Sequence, residues 1–233
     1  MTKSTRETGL RVTTTRRRVV KGGLLAGAGF AVLPLVSRTI KAGSPSLRKY
    51  VRPLAIPPVA QPSSTAAGVA QYNIAMSQFQ QRVHPDLPLT TLWGYGGSWP
   101  GPTFETRRGQ PISVRWGNNL PNRHLLEYAY DTTIHGADMG EPHTRTVVHL
   151  HGARVLPDSD GYPEAWFTRG WAQTGPFFTT KVYNYPNDQE ATTLWYHDHM
   201  LGTIRLNVFS GLGGNLSHSR CGRGRSQSAA RRL

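Results

Sequence analysis

Beyond Gln71 the apolar residues fall into short runs that alternate with polar ones or are broken by Gly and Pro. "QYNIAMSQFQQRV" (71–83) alternates in β-compatible residues. "TTLWGYGGSWPGPTFETRRGQPISVRWGNNL" (90–120) reads as strand, turn, strand, turn. Pro100, Gly101 and Pro102 mark one turn, and Gly117, Asn118 and Asn119 the other. Three further β-branched or aromatic runs follow, "RTVVHLHGARVL", "PFFTTKVYNY" and "TTLWYHDH", each flanked by turn residues. Short strands at this spacing predict an all-β sandwich or barrel over 71–212. Only "MLGTIRLNVFSGL" (200–212) has room for a helical turn or two, ending at the glycines that follow. Residues 43–70 are rich in Pro, Ser and Ala and read as an extended segment. From 213 the texture changes to "GGNLSHSRCGRGRSQSAARRL", with little apolar content, which predicts a disordered tail without a buried strand.

Charge changes this picture less than its total suggests. The formal net charge is +14, but residues 1–42 hold nine Lys/Arg against one acid, and 211–233 hold five Arg and no acid. The remaining 43–210 carry 13 basic and 12 acidic residues, a net of +1. A nearly neutral middle argues against a nucleic-acid partner. Cys221 is the single cysteine of the sequence, so an intrachain disulfide is excluded.

The first 42 residues read as an export label. "TRRRVVKG" (15–22) sets Arg16 and Arg17 ahead of an apolar pair and Lys21, and a Gly/Ala/Leu/Val run extends over 23–36. That run falls short of the ~20 residues of a spanning helix. Paired arginines before it resemble a twin-arginine export signal, which implies transient membrane contact and a destination in the periplasm, envelope or medium.

The chemistry concentrates in two His-x-His pairs, His149 with His151 and His197 with His199. In a strand, residues i and i+2 project from one side about 6.5 Å apart, so each pair presents two imidazoles in parallel. Imidazole suits Cu, Zn and Fe, and copper outranks zinc on such ligands. His84, His124, His135, His143 and His218 lie in polar or turn-like stretches and are not expected to be ligands. Asp158, Asp160 and Glu164 in "PDSDGYPEAW", and Asp198 between the second pair, are candidates for supporting the ligands, because metal-bound histidines usually donate their other N–H to a carboxylate or carbonyl. Asp198 should face away from the metal, since it alternates with the histidines.

"LWGYGGSWPGPTFETRRGQ", "NNLP", "TVVHLHG", "DSDGYPEAWFT" and "YPNDQEATTLWYHDHMLGTIRLNVFSGL" together resemble the first cupredoxin domain of a multicopper oxidase, in the bacterial laccase, bilirubin-oxidase-like and spore-coat laccase group. The likeness runs from about Tyr50 to Leu212. It implies a Greek-key β-sandwich or barrel. It also implies that His149 binds a type 2 copper and that His151, His197 and His199 bind a type 3 pair. In the family, that cluster reduces O2 to water with electrons taken from an organic substrate or metal ion through a separate type 1 copper.

The same likeness exposes what is missing. The family cluster takes eight histidines, the other four coming from HxxHxH and HCHxxxH motifs in a C-terminal cupredoxin domain that also carries the type 1 site. Neither motif occurs in the sequence, and Cys221 lies between Arg220 and Gly222 rather than beside histidines. The resemblance therefore assigns metal ligands and no catalytic residue, and predicts a chain inactive by itself. In the family, an apolar strand after the helical turn closes this domain. An arginine-rich run in its place leaves that strand out of the expected fold and reads as the product of a shifted frame. The alternative is an exported copper-binding module without turnover.

Overall fold

The computed structural model describes residues 45–220, apart from 139, 141 and 143. The expected export signal with Arg16 and Arg17, His143, and Cys221 with the arginine-rich end lie outside the described residues. The chain divides into the units Met1–Ser46 and Leu47–Leu233, and every strand among the described residues belongs to the second.

The alternating runs become nine strands among the described residues: β1 (Ser64–Ala66), β2 (Val69–Gln81), β3 (Thr90–Tyr95), β4 (Gly101–Arg107), β5 (Ile112–Asn118), β6 (Val148–His151), β7 (Val182–Tyr185), β8 (Thr193–Asp198) and β9 (Gly213–Ser219). One short helix, α1 (Ile204–Phe209), lies in the segment expected to be helical. The strands form two sheets. The first runs β1-β2-β5-β7, with β3 also paired to β2, and the second runs β4-β9-β8-β6. Two pairings are parallel, β2 with β5 and β4 with β9. The expected all-β, cupredoxin-like sandwich is the observed architecture.

Each sheet turns one face inward because its apolar residues recur at every second position. Tyr72, Ile74 and Met76 of β2, and Val114 and Trp116 of β5, are buried with Phe104 of β4, Val148 and Leu150 of β6, and Leu194 and Tyr196 of β8. Aromatic rings join the sheets, edge to face or tilted. Tyr95 meets Tyr196 at 5.0 Å, and Trp116 lies 5.2 Å from Tyr196. Tyr196 donates to the Pro102 carbonyl at 2.6 Å. Part of the Pro-rich lead-in also joins the fold. Pro58 and Ala60 exchange backbone hydrogen bonds with Thr103 of β4, and Ser64–Ala66 pairs with β2 across a turn at Ala67 and Gly68.

The structure corrects the expectation of a structureless tail from Gly213 and of a fold without its closing strand. Residues Gly213–Ser219 form β9, between β4 and β8. The physical reason is that an internal strand is held by backbone ladders on both sides, which any non-proline residue supplies. Total apolar content is therefore the wrong measure, and alternation the right one. Gly214, Leu216 and His218 turn inward, whereas Ser217 and Ser219 are exposed. Gly214 and Gly101 flank Tyr196, and a Cβ on Gly214 would meet the Tyr196 ring at 2.3 Å.

His218 is the misfit of this strand. It is buried, and among the described residues neither ring nitrogen has a hydrogen-bond partner. An unmade hydrogen bond at a buried polar group costs about 1–3 kcal/mol. Replacing His218 with Leu, of similar volume, should therefore raise the unfolding free energy by about 1–2 kcal/mol in urea denaturation. A neutral or destabilising result would show that the ring is satisfied in solution.

Candidate metal centre

The antiparallel register of β6 and β8 assembles the histidines. It pairs His149 with His197 and His151 with Trp195, while Val148 and Leu150 of β6 and Leu194 and Tyr196 of β8 turn into the core. Both His-x-His pairs thus share the opposite face, as the pleat requires. His149 lies 5.6 Å from both His151 and His197 between ring centroids, and 4.8 Å from His199. His149, His151 and His197 bring one nitrogen each within 4.8 Å of one another. Nδ1 of His151 and Nε2 of His197 are 3.4 Å apart.

Two of the rings are oriented by backbone carbonyls. Nδ1 of His149 donates to the Asp160 carbonyl at 2.5 Å, and Nδ1 of His197 to the Asp198 carbonyl at 2.7 Å. A carbonyl only accepts, so each Nδ1 carries the proton and Nε2 keeps its lone pair. His199 leaves a buried Nδ1 without a partner among the described residues, and its backbone N–H donates to Val147 at 2.8 Å.

The Asp160 contact depends on a close approach. A 3-10 turn at Pro157–Ser159 leads to Gly161, which has φ of 77° and sits so tightly on β6 that a Cβ would lie 2.0 Å from the Val148 oxygen. Ser159 braces the turn by donating to Asp158 at 2.9 Å and accepting from the Asn184 N–H of β7 at 3.0 Å. A cavity of about 630 Å³ is lined by Asp158 and Asp160 together with Tyr162, Phe177 and Tyr183 among others.

The four expected supporting carboxylates behave differently. Asp160 supports His149 through its carbonyl, and its carboxylate stands 3.5 Å from the same Nδ1. Asp158 bonds within its own turn, and Glu164 makes no ion pair with a histidine among the described residues. Asp198 faces away from the histidines, as alternation demands. Its buried carboxylate accepts from the N–H groups of Val147 and Met200, each at 3.1 Å, and from the Asn207 amide at 2.8 Å. It thereby ties β8 to α1.

Burial sets the protonation tendencies. Desolvation, then the neighbouring imidazoles His149, His199 and His151, lowers His197 to about 4, although the Asp198 carbonyl opposes this. Desolvation lowers His199 too, with His149 the next cause. Both shifts favour neutral imidazoles, the form that binds a metal. Desolvation raises Asp198 to about 7, outweighing its three donors.

The other described histidines stand apart from the cluster. His84 packs against Arg48 and Asp86, and His135 is largely exposed beside Asp138. His124 is buried, paired to Asn207 at 2.9 Å and edge-on to Trp93. Two residues stand beside the site that were not among the expected candidates. Asn207 bonds Asp198, the Arg145 carbonyl and His124, a hub no local pattern reveals. Trp195 stacks on His197 with centroids 3.8 Å apart, and its place two residues before His197 was the available signal.

Among known proteins, a family model described as multicopper oxidase matches residues 138–217. A laccase of Bacillus stratosphericus is 50% identical over 169 residues, covering 72% of this chain and 33% of that protein. A laccase of Bacillus subtilis (strain 168) is 47% identical over 171 residues, with 72% and 33% covered. The chain thus spans about a third of the length of the curated relatives it matches. A crystal structure of a multi-copper oxidase from Pediococcus acidilactici shares the fold with a TM-score of 0.58 at 21% identity, covering 76% of this chain and 31% of that one. The family model spans the strands that carry the histidine pairs, the laccases match at about half identity, and the chain belongs to the multicopper oxidase family with a cupredoxin-like fold.

Proposed function

We propose that His149, His151, His197 and His199 are copper ligands and that this domain provides half of the ligand set of an oxygen-reducing copper cluster. The observation that carries the reading is the facing register of the two pairs, with three ligand nitrogens within 4.8 Å. The donor set fits the metal. Four imidazoles suit copper, two have Nδ1 committed to a carbonyl so that Nε2 keeps its lone pair, and His199 has a buried Nδ1 without a partner among the described residues. Copper, when bound, would supply one-electron transfer and O2 binding. The chain's own part is to hold the nitrogens together and neutral, with Asp160 and Asp198 keeping His149 and His197 in the required tautomer.

In a complete enzyme of this kind, an organic reductant or a metal ion would give up four electrons as O2 and four protons become two waters. The sequence holds neither the HxxHxH nor the HCHxxxH motif, so that turnover requires cupredoxin-domain residues from outside it. A second reading, a copper-binding module without turnover, is favoured by β9, which fills the second sheet without help from another domain.

Copper titration of the full chain, followed by metal analysis and electron paramagnetic resonance, tests the ligand assignment. At least one copper per chain is expected, lost in the His149→Ala/His197→Ala double variant and kept in His84→Ala/His135→Ala. Equal copper in all three proteins would sink the assignment. Oxygen uptake with a phenolic reductant should be absent from the copper-loaded chain under either reading. Adding a C-terminal cupredoxin domain that carries the HxxHxH and HCHxxxH motifs should give uptake only under the first.

Export through the twin-arginine route completes the proposal, supported by the order of Arg16, Arg17, Lys21 and the apolar run. Changing both arginines to Lys should leave the protein in the cytoplasm on cell fractionation. Unchanged export would refute it.

A further inference from the structure

We infer that Trp195 is a positioning residue that holds His151 and His197 as an oriented pair, an inference that rests on the copper-ligand reading of those histidines. Trp195 occupies a singular place on the sheet. It precedes His197 by two residues on β8, so the two share a face, and it is the direct cross-strand partner of His151 on β6. Its indole accordingly lies nearly parallel to both imidazoles, 3.8 Å and 24° from His197, 5.6 Å and 25° from His151.

The four histidines need this support unequally. Nδ1 of His149 and of His197 is pinned by a carbonyl. His151 is exposed, and among the described residues its ring nitrogens meet only Nε2 of His197, at 3.4 Å. Beyond that one long hydrogen bond, ring packing orients the imidazole among the described residues, and the indole is the ring packed most nearly parallel to it. A ligand already held in place loses less conformational freedom on binding, which is why groups supporting a metal ligand are commonly worth 10–100-fold in affinity. Core packing does not account for Trp195. It is 40% exposed and lies on the face opposite the buried Leu194 and Tyr196. A partly exposed aromatic side chain lying nearly parallel to two imidazoles does little for the sandwich and much for the histidines.

The test uses the full chain with Trp195→Leu and Trp195→Phe. Without metal, the χ1 coupling constants of His151 are read by nuclear magnetic resonance. A single rotamer is expected in the wild type and in Trp195→Phe, and rotamer averaging in Trp195→Leu. Thermal unfolding of the metal-free proteins should be nearly unchanged, which separates positioning from a structural role. In copper titration, Trp195→Leu should bind at least about tenfold more weakly, with Trp195→Phe recovering most of the loss. Unaveraged His151 couplings in Trp195→Leu would overturn the inference, and so would wild-type copper affinity in that variant. If the wild type bound no copper, the ligand reading would fall, and the metal-free couplings would still decide whether Trp195 orders the ring.

Discussion

Replacing Gly161 with alanine is expected to destabilise the domain by about 3 kcal/mol or more and to weaken copper binding at His149. Two costs combine. An L-residue at φ of 77° pays about 1–2 kcal/mol for the left-handed conformation. The added Cβ would also lie 2.0 Å from the Val148 oxygen and 2.9 Å from the His149 Cα, both backbone atoms of β6. Backbone in a paired strand cannot step aside, so the 157–161 turn must lift and take the Asp160 carbonyl away from His149. That hydrogen bond is worth a further 0.5–1.5 kcal/mol or so. Gly109 provides the control. Its φ is 76°, but nothing lies within 4 Å of its virtual Cβ, so Gly109→Ala should show the conformational cost alone. Urea denaturation and copper titration of both variants read the difference. Equal losses in the two would mean that the turn does not press on β6 as described.

Trp116→Ala should cost about 3–5 kcal/mol, the range for emptying a large aromatic site in a core. Trp116 belongs to the first sheet, yet its ring meets Phe104 at 5.9 Å and Tyr196 at 5.2 Å in the second, and Tyr95 at 5.4 Å. Its Nε1 donates to the Tyr185 hydroxyl at 3.1 Å, which loses that partner as well. Trp116→Phe should cost less, since a ring remains between the sheets. The four histidines lie on the far face of the second sheet, so the fraction that stays folded should still take up copper. Thermal and urea unfolding measure the first expectation and metal analysis the second. A loss below about 1 kcal/mol for the alanine variant would contradict the packing described.

The site and the fold were legible in the sequence to different depths. The period-2 alternation in "VHLH" and "LWYHDH" was enough to place each histidine pair on one face of a strand and to turn Asp198 away from it, because side-chain direction in a strand is a local property of the pleat. It could not say which strands are neighbours. The pairing of β6 with β8, in the register that sets His149 against His197, is a contact between residues far apart in the chain that depends on how both sheets pack. The same limit explains β9. Counting apolar residues in "GGNLSHS" concealed a strand that the ladders of β4 and β8 hold in place, with room for it made by glycines under Tyr196.

Local chemistry also named the supporting carboxylates too freely. Asp158, Asp160 and Glu164 were equivalent as carboxylates near histidines, and alternation set only Asp198 apart, yet the groups that orient the rings are the carbonyls of Asp160 and Asp198. Every residue has a carbonyl, so a sequence carries no mark of which one will face an imidazole. Residue type and alternation, read along the chain, determined the all-β class, the four imidazoles and the strand face each pair occupies. Strand order, register, the oriented tautomers and the Trp195 stack were decided only in the tertiary structure, because each is a relation between residues that folding alone brings within a few ångströms.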